Sequence, residues 1–235
     1  MKYNLSQKIA AWGVRAFTSS GLITGFLALI AIGEKNWNIA FMWLFVSLII
    51  DGVDGSLARL FKVKEVLPSM DGKNIDFVID FANYAIVPAY FFYMADMVPQ
   101  AWMLPCLTFI LLSSALYYGK VGMVADEQYF VGFPVLWNIV VFYCFFVFHN
   151  IPELNVAIVI IFAILHFVPI KYAYPSRSKK YFWLHLITSF SWFVGAGMIL
   201  YYYPLRVFPL EILEVLVIAY FAVIAMMDTW GKSSK

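Results

Sequence analysis

Charge is what this chain has least of. Only 13% of its 235 residues are Asp, Glu, Lys or Arg, while 63% are hydrophobic. A soluble domain of this length has too little interior to hide that much apolar surface, so an ordinary globular protein is excluded. Long polar stretches are missing as well, so no second, hydrophilic domain is expected and residues 1–235 read as a single membrane domain. Cysteine is nearly absent: Cys106 and Cys144 both lie in apolar runs and read as small hydrophobes, not as a disulfide pair. The three histidines, His149, His166 and His185, show no paired metal-ligand spacing and read as buried or interfacial polar groups. No cleavage-site pattern follows Met1-Lys2-Tyr3-Asn4, so no signal peptide is expected. A net charge of +2 gives no footing for a nucleic-acid partner.

What is abundant is apolar sequence in long runs. A helical crossing needs roughly 20 predominantly apolar residues, and such runs stand at about 18–33, 38–58, 75–95, 99–118, 129–148, 154–170, 182–203 and 209–227. The runs are continuous and lack the alternation of a membrane β-barrel. The expected fold is therefore an all-α integral membrane protein with about eight transmembrane helices. Residues 2–15 carry Lys2, Lys8 and Arg15 beside Leu5, Ile9, Trp12 and Ala16 at helical spacing, which predicts a short amphipathic helix on the membrane surface. With the N-terminus inside, 14 of the 16 basic residues fall on the inner side, leaving Lys35 and Arg206 outside. The positive-inside rule then places both termini and the most basic loops in the cytoplasm.

Most of the 14 carboxylates sit in loops, and the exceptions are concentrated between residues 51 and 80. Asp51 and Asp54 close the second apolar run, and Asp76 and Asp80 open the third. Ionisable groups in apolar surroundings at helix ends are costly and usually functional. Asp51, Asp54, Gly55, Ala58 and Arg59 share one helical face, as do Gly72, Asp76 and Asp80. A loop of about a dozen residues lets the two helices lie side by side with their acids confronting each other. Four carboxylates so placed repel one another unless a cation intervenes, and hard divalent ions with oxygen ligands, Mg²⁺ or Mn²⁺, are the natural neutralisers. Two such ions form the usual clamp for phosphoryl displacement. Gly55, Ala58 and Gly72 leave room for a ligand or another helix, and Arg59 offers a fork for a phosphate or a carboxylate. A cation-coupled transporter is the rival reading of the acids, although no internal repeat is visible; a structural scaffold leaves them unexplained.

The stretch Asp51-Gly52-Val53-Asp54-Gly55-Ser56-Leu57-Ala58-Arg59, followed after twelve residues by Gly72-Lys73-Asn74-Ile75-Asp76-Phe77-Val78-Ile79-Asp80, resembles the signature of the CDP-alcohol phosphotransferase family. The usual gap between the Arg and the second Gly is shorter. The longer gap here, with Asp80-Phe81-Ala82-Asn83-Tyr84, Phe130-Val131-Gly132-Phe133-Pro134, Trp137-Asn138 and Val168-Pro169-Ile170-Lys171-Tyr172 before Tyr174-Pro175, is similar to the bacterial branch that condenses CDP-diacylglycerol with choline. The resemblance spans about residues 50–180. It implies a multi-pass enzyme of the bacterial inner membrane, acting at its cytoplasmic face and commonly paired as a homodimer. It further implies that Asp51, Asp54, Asp76 and Asp80 hold the metal ions, that Asp51, Gly55, Ala58, Arg59 and Gly72 seat the CDP group, and that Asp80 is the catalytic base. Inositol, serine and glycerol phosphate are the alternative acceptors.

A quaternary ammonium such as choline is best held by aromatic faces. Tyr84 stands one turn beyond Asp80, and Tyr117, Tyr118, Phe133 and Trp137 lie near cytoplasmic helix ends. With 20% aromatic residues, packing against lipid or protein is the competing role for each ring. Lys120, Lys171, Arg177, Lys179 and Lys180 are open to two readings, as phosphate ligands or as topology determinants meeting anionic lipid.

Overall fold

The first helix, α1, runs from Leu5 to Gly33. Asn4 starts it with a capping box: its side chain accepts from the Gln7 amide while the Gln7 side chain accepts from the Asn4 amide. Nothing between the expected surface helix and the first crossing breaks the chain, so the two form one 29-residue helix. At 1.5 Å per residue it is about 43 Å long, more than the roughly 30 Å of bilayer hydrocarbon. Its N-terminal turns therefore have length to spare for the interface, and Leu5, Ile9 and Trp12 are exposed there.

The computed structural model describes residues 3–120, 124–125, 129–174 and 181–231. It divides into two compact units, Met1–Met94 and Ala95–Lys235. In the first unit, α1 packs on α2 (Trp37–Leu60). Buried positions on α1 recur as Ala11, Val14, Arg15, Thr18, Gly21, Thr24, Gly25 and Ala28, one helical face. The opposite face, with Ile23 and Phe26, is exposed and apolar, as lipid requires. The long gap in the acidic motif is ordered: α3 (Val63–Val66) lays Val63, Val66 and Leu67 on Ala11 and Val14, and the Tyr3 hydroxyl donates to Glu65 at 2.9 Å. Asp71 caps α4 (Gly72–Met94) by accepting from the Lys73 amide. Within α4 the turn Ala82–Ile86 is a π-segment.

In the second unit the helices are α5 (Gln100–Tyr118), α6 (Trp137–Val147), α7 (Pro152–Leu165), α8 (Phe182–Tyr202) and α9 (Phe208–Trp230). An antiparallel sheet, absent from the expected all-helical chain, joins β1 (Val124–Ala125), β2 (Tyr129–Val131) and β3 (Lys171–Ala173). It takes the first residues of the expected 129–148 crossing. Gly132 then adopts a left-handed φ of 88°, with its α-carbon against the His166 carbonyl, where a side chain does not fit. Helix resumes only at Trp137, after Pro134.

Among the described residues, six helices are long and apolar enough to cross a membrane: α1, α2, α4, α5, α8 and α9. The other two of the eight expected segments, α6 and α7, are apolar but shorter. The chain is thus an all-α multi-pass membrane protein.

Candidate active site

Three of the four acids converge. One carboxylate oxygen from each of Asp51, Asp76 and Asp80 lies within 4.8 Å of the others. Asp51 comes from the C-terminal half of α2, and Asp76 and Asp80 from successive turns of α4. Asp54 lines the same small cleft with them but is more deeply buried and stands outside the tight trio. Oxygen-only, acid-rich and held on two helices, this donor set fits a hard divalent cation. Gly55 and Ala58 follow Asp51 on the same face of α2, and Gly72 is the first residue of α4, against the Arg15 guanidinium. Arg59 is exposed and its Nη2 donates to Ser56 Oγ at 3.0 Å.

The acids are held by partners of unlike kind. The Tyr84 hydroxyl, buried on the π-segment of α4, donates to Asp51 Oδ2 at 2.9 Å. Thr18 of α1 stands beside Asp54. Arg15, one turn earlier on α1, is close enough to attract both Asp54 and Asp76. Asn83 ties the three helices together. Its Nδ2 donates to the Gly21 carbonyl at 2.8 Å and to Ser47 Oγ at 2.6 Å, and its Oδ1 lies against Gly25, where a β-carbon would collide. The π-segment makes this possible, because the extra residue in the turn directs both Asn83 and Tyr84 inward; both are buried.

Sequence reasoning found the acids and missed Arg15, Thr18, Ser47 and Asn83. In the sequence Arg15 reads as a charge of the surface helix 2–15 and of the inner side, whereas the structure buries it. Its partners are far along the chain, so no local spacing betrays it.

Other expected residues fall in the second unit. Trp137 is fully buried and its indole N–H donates to Ser114 Oγ at 2.9 Å. Tyr118 ends α5 with its ring edge-on to Tyr117. Lys120 Nζ donates to the Val131 carbonyl and Lys171 lies in β3. Arg177, Lys179 and Lys180, like Lys2, lie outside the described residues. The histidines are polar packing groups: His166 Nδ1 meets the Phe133 carbonyl at 2.7 Å, His185 Nδ1 meets the Tyr220 hydroxyl at 3.0 Å, and His149 pairs with Glu211 at 3.2 Å.

The fold and this site define a class: a multi-pass helical membrane protein with a carboxylate cluster suited to a divalent cation. Residues 15–170 match the family model described as CDP-alcohol phosphatidyltransferase. The chain is 38% identical over 208 residues to a phosphatidylcholine synthase of Pseudomonas aeruginosa, covering 87% of each chain. Proteins of the same name from Rhizobium meliloti and Borreliella burgdorferi are 40% and 38% identical, over 74% and 73% of this chain and 71% and 73% of theirs. The chain belongs to the CDP-alcohol phosphatidyltransferase family.

Proposed function

We propose that this enzyme transfers the phosphatidyl group of CDP-diacylglycerol to the hydroxyl of choline and releases CMP. The observation that carries the reading is the convergence of Asp51, Asp76 and Asp80 to within 4.8 Å at the family's own motif. The names of the relatives point to choline as acceptor. On this reading the site lies at the cytoplasmic boundary of the bacterial inner membrane, with the nucleotide in water and the acyl chains in lipid.

Asp51, Asp54, Asp76 and Asp80 would hold two divalent ions, Mn²⁺ or Mg²⁺, which when bound supply the positive charge that a diphosphate and a departing CMP require. The protein does the rest. Asp51, Gly55, Ala58, Arg59 and Gly72 seat the CDP moiety, Gly55 and Ala58 by letting it approach the backbone and Gly72 by admitting the Arg15 guanidinium against its α-carbon. Tyr84 keeps one oxygen of Asp51 occupied, so the other faces the cleft. Tyr84 is also the ring we place beside the acceptor's ammonium. Asp80 takes the proton of the choline hydroxyl at a carboxylate oxygen. The choline oxygen then bonds to the phosphorus bearing diacylglycerol, the bond from that phosphorus to CMP breaks, and Asp80 returns its proton to water.

The test is purified protein with CDP-diacylglycerol, Mn²⁺ and labelled choline, beside parallel reactions with inositol, serine and glycerol 3-phosphate. Label enters lipid from choline alone, EDTA abolishes it, and Asp80→Asn lowers the rate by about 10²-fold or more. Label from another alcohol keeps the reaction and discards the acceptor. No CMP from any tube sinks the enzyme reading in favour of cation transport.

A further inference from the structure

The sequence assigns the phosphate-facing positive charge to Arg59, yet that side chain is exposed and engaged with Ser56. The guanidinium built into the site is that of Arg15. It is 8% exposed, on the face of α1 that carries Thr18 and Gly21 into the cleft. Two backbone features fix it in place. Its Nη2 donates to the Met70 carbonyl at 3.4 Å, and its planar head lies against the α-carbon of Gly72, where even a methyl group does not fit. The first residue of α4 is thus glycine because the guanidinium occupies the space of a side chain.

This buried cation is under-used by the protein. Its Nε is buried without a hydrogen-bond partner, and among the described residues it makes no ion pair with a carboxylate, although its charge acts on Asp54 and Asp76. A fixed, desolvated guanidinium with an idle donor, set at the rim of an acid cluster, is a site for an anion of the substrate. If two divalent ions balance four carboxylates, the two negative charges of a diphosphate fall to the neighbouring arginines.

We propose that Arg15 holds the diphosphate of the CDP-bearing substrate and so positions the reacting phosphorus. This rests on the phosphatidyl-transfer reading above. The α1–α4 contact then does two things at once: Arg15 pins the start of α4, and the pinned start presents Arg15 to the phosphate.

The experiment compares full-length wild type, Arg15→Gln and Arg15→Lys. Binding of CDP and of CMP is read as the shift in melting temperature with ligand in Mn²⁺, and KM is measured for each substrate. Arg15→Gln should melt close to wild type without ligand. It should bind CDP about tenfold or more weakly, with CMP affected less, because a charge-assisted contact to the second phosphate is gone. KM for CDP-diacylglycerol should rise in parallel, and KM for choline should stay within about twofold. Arg15→Lys, which keeps the charge and loses the planar fork, should fall between the two. A folded Arg15→Gln that binds CDP as tightly as wild type overturns the proposal and leaves Arg15 a structural pin. If Arg15→Gln does not fold, a folded Arg15→Lys with undiminished CDP affinity overturns it equally. Wild type that binds CDP but labels no lipid from choline removes the acceptor assignment, while the affinities still decide Arg15. Wild type that binds no CDP removes both.

Discussion

Asp51 depends on a side chain that does no chemistry of its own. The Tyr84 hydroxyl donates to Asp51 Oδ2 at 2.9 Å from a buried position, which restricts the carboxylate to one rotamer and leaves a defined oxygen for a cation. Partners of this kind commonly change metal affinity by about 10–100-fold when removed. Tyr84→Phe should therefore raise the Mn²⁺ concentration for half-maximal activity by about tenfold while leaving KM for choline little changed, since the ring stays. Tyr84→Leu should raise both. A metal titration of Tyr84→Phe that superimposes on wild type would sink the orienting role. At this scale the sequence was legible only where function is written in local spacing. Asp51 and Asp54, or Asp76 and Asp80, announce themselves by recurring on one helical face. Arg15 and Asn83 do not, because they meet partners 55 and 62 residues away in the chain, and a lone Arg or Asn among apolar residues has many uses.

The long helices were read correctly from hydrophobic length, because burial in lipid imposes a simple demand on composition. Apart from the confrontation of the acids, what escaped were the features set by contact between elements. The strands are two or three residues long and exist only because Tyr129–Val131 pairs with Lys171–Ala173 across some forty residues of chain. The π-segment in α4 carries Asn83 to Gly21 and Ser47, partners on two other helices that no local spacing announces. That junction can be tested with two alanines on the same helix. A β-carbon at Gly25 would collide with Asn83 Oδ1, whereas one at Gly13 meets nothing within 4 Å. Displacing Asn83 breaks two buried hydrogen bonds, so Gly25→Ala should destabilise by about 2–4 kcal/mol. Gly13→Ala should be neutral or stabilising by roughly 0.5–1 kcal/mol through helix propensity. Thermal melts in detergent decide it: equal melting temperatures for the two variants would mean that Asn83 is not the clasp of α1, α2 and α4.

For the whole molecule the question is which side of the membrane the acids face, since the nucleotide of the proposed substrate is made in the cytoplasm and cannot cross the lipid. The turn between α1 and α2 carries one basic residue, Lys35, and the α2–α4 connection beside the acids carries Lys62 and Lys64. Eight crossings with the N-terminus inside would gather 14 of the 16 basic residues on one side, and the charge bias then predicts that this connection faces the cytoplasm. Cysteine labelling suits this chain because both native cysteines, Cys106 and Cys144, are buried and unpaired, so background reaction should be low. Glu34→Cys and Lys64→Cys place single exposed thiols at opposite ends of the α1–α2 pair, neither of them on a residue of the site. A membrane-impermeant maleimide added to intact spheroplasts should label Glu34→Cys at once and Lys64→Cys only after permeabilisation. The converse pattern would put the carboxylate cluster on the outer face, away from any pool of cytidine nucleotide, and phosphatidyl transfer from CDP-diacylglycerol would lose its supply. Transport coupled to the acids would then be the reading to pursue, because a cation entering from outside would meet Asp51, Asp76 and Asp80 first.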